Sequence, residues 1–304
     1  MELSNLVHAS AIPSTTLHKS SNNNNVEPPP PNTDCCNGSS IYCDLTTHRI
    51  VSLFITDGGF APTAPIPTAI SNLAALEDLA LQNLTGLSGS IPPAIVNLKD
   101  LKDLKFITFT AINLAGTIPS YLSLLKNLTY LNLSSNKLTG SIPSSVLRIP
   151  KLQYLGLDGN QLTGTIPESL KLLDGNLPYL VPSDNQLSSE VPASFRGFNF
   201  GYMNLARNML RGDGSVFFGA NKTTEKINLS GNAFEFDLSR VELQESLTGL
   251  DLSHNRISAE LESLDLSYNA LCGKIPAGGQ MQSFGYESYF HNRCLCGAPL
   301  ESCK

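Results

Sequence analysis

Charge is scarce in this 304-residue sequence: acidic and basic residues together make up 15%, with a formal net charge of −6 and an isoelectric point near 5.4. No basic excess is available to neutralise phosphates, which argues against a nucleic-acid partner or an anionic membrane surface. No apolar run approaches the roughly 18–20 residues that cross a bilayer. His8, His18, His48, His254 and His291 are scattered, and no nucleophile–base arrangement or phosphate-cradling loop emerges. No cofactor site is expected, and an enzyme is the reading least supported. Hydrophobic residues still reach 41%, so the chain is no disordered tail.

Cysteine is absent from the whole middle of the chain. Cys35, Cys36 and Cys43 lie near one end, and Cys272, Cys294, Cys296 and Cys303 near the other. That distribution suits disulfide-stapled caps and an oxidising compartment. Zinc is the alternative, because C-x6-C spacings occur, but no histidine or short C-x2-C pair accompanies them. Seven is odd, so one thiol lacks an intrachain partner.

Between the cysteines runs an internal repeat. Leu131/Leu133, Leu155/Leu157 and Met203/Leu205 recur at L-x-L spacing, with Leu180/Pro182 in the third unit. Each pair is followed by an asparagine: Asn136, Asn160, Asn185 and Asn208, giving periods of 24, 25 and 23 residues (136 to 160, 160 to 185, 185 to 208). This is the leucine-rich-repeat pattern. Alternation puts both leucines on one side of a short strand, and one coil cannot bury them alone, so stacked coils share a core. The asparagine sits where the chain leaves the strand and can bond backbone groups that no ladder satisfies. The expected fold is an α/β leucine-rich-repeat solenoid: a right-handed superhelix with a concave parallel sheet, short second strands, convex helical turns and disulfide caps.

Ten strand-like repeats open at about Ile50, Leu76, Leu101, Leu128, Leu152, Leu177, Phe200, Thr224, Leu247 and Leu261. A second signature, L-x-G-x-I-P, recurs at Leu87–Pro92, Leu114–Pro119, Leu138–Pro143, Leu162–Pro167 and Leu271–Pro276. Glycine permits the turn, and proline ends the isoleucine segment by removing its donor. Four spans follow: an atypical, disordered N-terminus (1–33), an N-terminal cap remnant (34–48), about ten repeats (49–276) and a C-terminal cap (277–304). Residues 1–33 carry runs of asparagine and proline that cannot build a core, and they do not read as a signal peptide. Two departures stand out within the repeats. Pro182 removes a ladder donor from its strand. The interval from Asn255 to Asn269 is only 14 residues (255 to 269), so the repeat at 247–260 is truncated and the solenoid is expected to be pinched there.

With these residues in view the chain resembles the polygalacturonase-inhibiting proteins, an extracellular leucine-rich-repeat family of plants, of which it would be a truncated member. The resemblance is carried by Asp34-Cys35-Cys36…Cys43-Asp44, by Asn208-Met209-Leu210-Arg211-Gly212-Asp213 with Phe217-Phe218-Gly219, and by the tail from His291 to Cys303. It implies bridges Cys36–Cys43, Cys272–Cys294 and Cys296–Cys303. It leaves Cys35 unpaired, because the family's N-terminal cysteine partner and its usual tryptophan are missing here.

The resemblance also implies a function, inhibition of microbial endopolygalacturonase in plant defence. The concave face would dock on a fungal or insect polygalacturonase and occlude its substrate cleft. Alternation places Tyr130, Tyr154, Tyr179 and Tyr202 at one outward position of successive strands, a column of anchors about 4.8 Å apart. Asn132, Asp158, Ser183, Asn204, Lys226 and Asn228 are expected to fix polar register around it. The alternatives are an antifreeze-type or cell-wall-pectin-binding protein, or an inactive degenerate copy. Pectin is polyanionic and suits an acidic chain poorly, and the row Asn132, Gly156, Val181, Asn204 is too irregular for ice. A receptor ectodomain would need a membrane span, and the chain stops at Lys304. Asp251 and Asp265 could be read as paired glycosidase carboxylates, yet nothing encloses them. Six N-x-S/T sequons occur at Asn37, Asn83, Asn127, Asn132, Asn221 and Asn228. Asn37, Asn127 and Asn221 are the expected glycan sites, because Asn132 and Asn228 lie in strands of the binding face. Arg211-Gly212-Asp213 is expected to be a turn and not an adhesion tripeptide. The expected location is secreted, in the cell wall.

Overall fold

In a computed structural model of the chain, the described residues are 36, 40–56, 64–100, 104–168, 179–258, 265–268, 271–275 and 281–303. Internal contacts divide the chain into two compact units, Met1–Thr139 with Ile149–Leu152, and Gly140–Arg148 with Gln153–Lys304. The expected N-terminal features at 1–33, and Cys35 and Asn37, lie outside the described residues.

In the first unit an antiparallel strand, Ile41–Cys43, starts a sheet by pairing with Ile50–Thr56. Asp78–Gln82, Phe106–Thr110 and Tyr130–Asn132 then add in parallel. A second short pairing joins Ala115–Thr117 to Lys137–Gly140. Between the two kinds of strand the chain crosses in 3₁₀ turns, among them Thr68–Asn72 and Ser120–Leu124, each entered through a proline (Pro67, Pro119). Proline fixes φ and has no N–H to leave unsatisfied, so it ends the second strand and starts the turn. The register corrects one boundary. Phe106 pairs with Asp78 and Tyr130, so Leu104, which is buried, and not Leu101 occupies the place of Leu76 and Leu128.

The second unit repeats this plan. Tyr154–Gly156, Tyr179–Val181, Tyr202–Asn204, Lys226–Asn228 and Gly249–Asp251 form a parallel sheet. Gln161–Gly164, Gln186–Glu190, Met209–Gly212 and Ala233–Phe234 form the second. The connecting turns, such as Ala193–Gly197 and Gly214–Phe217, are again 3₁₀. None of the described helical segments is α-helical. Segments this short gain one bond per turn from the tighter geometry and never repay the nucleation of an α-helix. Phenylalanines fill the space beneath: Phe195 lies 5.7 Å from Phe200 and 5.8 Å from Phe217, which meets Phe234 edge-on at 6.1 Å.

What joins coil to coil is the asparagine. Asn208 accepts from Leu187 N–H at 3.0 Å and donates to the carbonyls of Pro182 (3.0 Å), Leu205 (3.1 Å) and Ala206 (3.2 Å). Asn136, Asn185, Asn232 and Asn255 make the equivalent bonds in their own coils. Asn292, in the C-terminal cap, does the same with Leu271 and Leu266. Each amide thus satisfies a donor and acceptors that the turn strands in the interior. Pro182 is accommodated by this device. It shortens the pairing of 179–181 with 202–204 to two registered residues, but its carbonyl is bonded by both Asn185 and Asn208.

The ends are closed by disulfides Cys36–Cys43, Cys272–Cys294 and Cys296–Cys303. In the C-terminal cap Cys272–Lys274 pairs in parallel with Cys294–Cys296, and Tyr289 is fully buried with its hydroxyl donating to Met281 O. Burial pushes that phenol up to about 12. Next to the short interval from Asn255 to Asn269 the packing is incomplete. A cavity of about 200 Å³ lies among Leu238, Val241, Leu250, Leu252, Leu266 and Ile275.

Two outcomes follow from this packing. Asn208→Ala strands the Leu187 N–H, while the Pro182 carbonyl keeps its bond from Asn185, and should cost about 1–3 kcal/mol in urea denaturation. Native-state hydrogen exchange should be faster at Gly249–Asp251 and 271–275 than at Tyr154–Gly156, because the lined void weakens that end. Equal protection would show that the cavity carries no local penalty.

Candidate functional site

The outward residues of the long sheets fall into rows fixed by register. In the second unit one row runs Tyr154, Tyr179, Tyr202, Lys226 and Gly249. The rings of Tyr154 and Tyr179 stand 6.2 Å apart and tilted by 36°. Tyr179 is 46% exposed, and Tyr154 and Tyr202 are half-buried. In the first unit the corresponding row runs Asp78, Phe106 and Tyr130, with Phe106 5.7 Å from Tyr130. Phe106 is 43% exposed and extends the aromatic row, which the sequence reading missed. Its signal was the Phe106-Ile107-Thr108-Phe109 order, the same as Tyr130-Leu131-Asn132-Leu133, hidden by the misplaced repeat boundary. Strand neighbours of this kind set tilted rings side by side, and a rigid ring loses little entropy when a partner covers it.

The second row is polar and tied down. Asn204 Oδ1 accepts from Ala206 N–H at 3.1 Å, and Asn228 Oδ1 from both Ser230 N–H (3.0 Å) and Ser230 Oγ (2.7 Å). Asn132 makes the same pair of bonds with Ser134. Each Oδ1 closes a local turn, so what these side chains offer outward is the amide NH2. The sequon asparagines Asn132 and Asn228 are therefore part of the turn structure. Asn221 is exposed, whereas Asn127 Oδ1 accepts from Lys151 Nζ at 2.8 Å.

The third row corrects an expectation. Ser183, expected to contact a partner, is 3% exposed, and the equivalent Ser134, Ala206, Ser230 and Ser253 are also buried. The strand has ended at these positions, and Ser134 and Ser230 turn in to bond Asn132 and Asn228, so a small side chain here is covered. Asp158, whose side chain is longer, is half-buried. Asp251 and Asp265 close turns too, through Ser253 N–H (3.0 Å) and Ser267 N–H (2.9 Å). The Ser267 hydroxyl and amide hold Asp265 below its usual carboxylate range, the opposite of what a general acid needs. In Arg211-Gly212-Asp213, Gly212 (φ +86°) ends a second-sheet strand where a Cβ would lie 2.7 Å from Glu190 Cγ. Asp213 then caps the next turn by accepting from Ser215 N–H at 2.8 Å.

One ion pair flanks the face. Arg207 donates to Asp184 through Nε and, at 2.6 Å, through Nη2. Both residues immediately precede a ladder asparagine and have positive φ (51° and 54°). The guanidinium holds Asp184 below the usual carboxylate range, against an opposing effect of burial. The folded-state pKa is depressed, so the pair contributes above the unfolded value of 3.8 and is lost as pH falls through the folded one. Both groups are well exposed, so Asp184→Asn should cost only about 0.2–1 kcal/mol at pH 7. Acid-unfolding curves of mutant and wild type should diverge above about pH 4 and converge below it.

Comparison with known proteins places these observations. Leucine-rich-repeat family models match residues 113–162, 244–260 and 260–280. A polygalacturonase inhibitor of Vitis vinifera is 53% identical over 281 residues, covering 90% of this chain and 83% of that protein. One of Pyrus communis is 50% identical over 281 residues, covering 90% and 84%. Among solved structures, that of a plant ice-binding protein aligns with a TM-score of 0.70 at 41% identity, covering 89% of both chains.

Proposed function

Since the chain belongs to the polygalacturonase-inhibitor family of leucine-rich-repeat proteins, whose members are inhibitors and not enzymes, we propose that it binds and inhibits an endopolygalacturonase. The observation that carries the reading is this identity of 50–53% over nine-tenths of the chain, together with an aromatic row on an open sheet face. The partner is a fungal or insect polygalacturonase met in the plant cell wall, where the disulfide-closed ends persist. Tyr154, Tyr179 and Tyr202 supply the apolar anchors. Lys226 and the amide hydrogens of Asn204 and Asn228 supply polar register, with Phe106, Tyr130 and Asn132 offering the same chemistry in the first unit. A protein seated on this face blocks pectin by occupying the approach to the enzyme's cleft, and no chemistry is required of the inhibitor. Pectin itself is a lesser partner, because the chain is net acidic.

Ice binding is a second reading, favoured by the 41% identity to a plant ice-binding protein. Against it, the polar row in the second unit passes through Gly156 and the buried Val181. A lattice-matched surface needs an unbroken series.

The Tyr154→Ala/Tyr179→Ala double variant removes two anchors worth about 1–2 kcal/mol each, and inhibition should weaken roughly 30-fold or more. An unchanged inhibition constant on a folded protein would remove the row from the site. Thermal hysteresis by a wild-type protein that inhibits no polygalacturonase would replace the first reading with the second.

A further inference from the structure

The short interval between Asn255 and Asn269 changes the end of the sheet face as well as the core beneath it. Cys272–Lys274 packs beside the last sheet strand, Gly249–Asp251. Contact is possible only because residue 273 is glycine: φ is +117°, and a Cβ there would lie 2.7 Å from Leu250 O. Cys294–Cys296 follows alongside, cross-linked through Cys272–Cys294. The cap thus stands as a wall at the end of the face. Between wall and sheet lies a cleft of about 450 Å³, bordered by Tyr202, Lys226, Asn228 and Asp251 on the sheet side and by Gly273 and Arg293 on the cap side.

The chemistry of this cleft is that of a donor. Lys226 and Arg293 are exposed, and neither forms an ion pair among the described residues. Asp251 is the one acid on the lining. Its Oδ1 is engaged by Ser253 N–H, and its charge also acts on Arg207. Asn228 has spent its acceptor on Ser230 and keeps its amide hydrogens. The volume exceeds that of one side chain, so it suits the tip of a loop. We propose that the cleft receives an acidic loop of the partner protein, with a carboxylate held by Arg293 and Lys226. This rests on the inhibitor reading and adds to it a second contact, charge-selective where the tyrosine row is apolar. A guanidinium and an ammonium at the edge of an interface act on a carboxylate mainly by steering association and choosing among partners.

The test is surface-plasmon-resonance binding of one polygalacturonase to wild type, Arg293→Glu and Thr248→Glu, at 50 mM and 300 mM salt. Thr248→Glu places a carboxylate in the same cleft from the sheet side, so the result does not depend on the cap tolerating one substitution. Both variants should bind about tenfold more weakly at low salt, chiefly through a slower association rate. The difference should shrink at high salt, and Arg293→Lys should retain most of the affinity. Unchanged binding of both glutamate variants, while the Tyr154→Ala/Tyr179→Ala variant binds poorly, overturns the cleft and leaves the inhibitor reading intact. A wild type that binds no polygalacturonase overturns the inhibitor reading and the cleft with it.

Discussion

The constraint behind this structure is that a stacked coil must hide its turns. Each coil leaves the strand by bending sharply inward, and that bend buries peptide groups which no sheet can pair. The ladder asparagines resolve this: Asn208 donates to two carbonyls of its own coil and one of the adjoining coil, and accepts from a peptide N–H of the adjoining coil. Leucines provide most of the favourable burial, but leucines alone tolerate sliding. The asparagines fix how far one coil is displaced from the next, and the register of every outward residue depends on that displacement. The rows on the sheet face exist because the amides beneath them are satisfied.

Much of this was legible in the sequence because a repeat reports the same physics several times. L-x-L spacing, the asparagine and the G-x-I-P turn mark the two sheets and the crossings, and alternation puts Tyr154, Tyr179 and Tyr202 in one row. What was not legible depended on where alternation stops. Ser183 reads as outward by counting, yet the turn closes over it, and only the folded chain shows that a small side chain at this third position is covered. Phe106 was hidden for another reason: a longer crossing displaced the apparent start of its repeat to Leu101, while Leu104 holds the place. The helical character of the crossings was visible from proline placement, but not that they would settle as 3₁₀ turns. Asn292 was overlooked as a ladder residue because it sits among the cap cysteines, where the leucine pattern has ended.

Two features lie beside the sequence irregularity of 14 residues from Asn255 to Asn269. Underneath, a partly open apolar cavity lies among Leu250, Leu252 and Leu266. On the face, the cystine-linked strands lie against Gly249–Asp251, and an open cleft carrying Lys226, Asp251 and Arg293 lies beside them. Repeat proteins change binding surfaces by such edits because each coil answers only to its neighbours.

The row of Tyr154, Tyr179, Tyr202, Lys226 and Gly249 has a property that none of its members has alone. A stack of similar coils is close to translationally symmetric, so a partner resting on it could slip by one strand spacing and meet nearly the same surface. Here the composition shifts along the stacking axis from rings to an ammonium group to a bare backbone. A ligand displaced by one coil would lay apolar surface on Lys226 and leave a ring uncovered, and one docked in reverse would do so at both ends. For a partner seated on it as proposed, the face would work as a graduated scale with a marked zero, setting both direction and position.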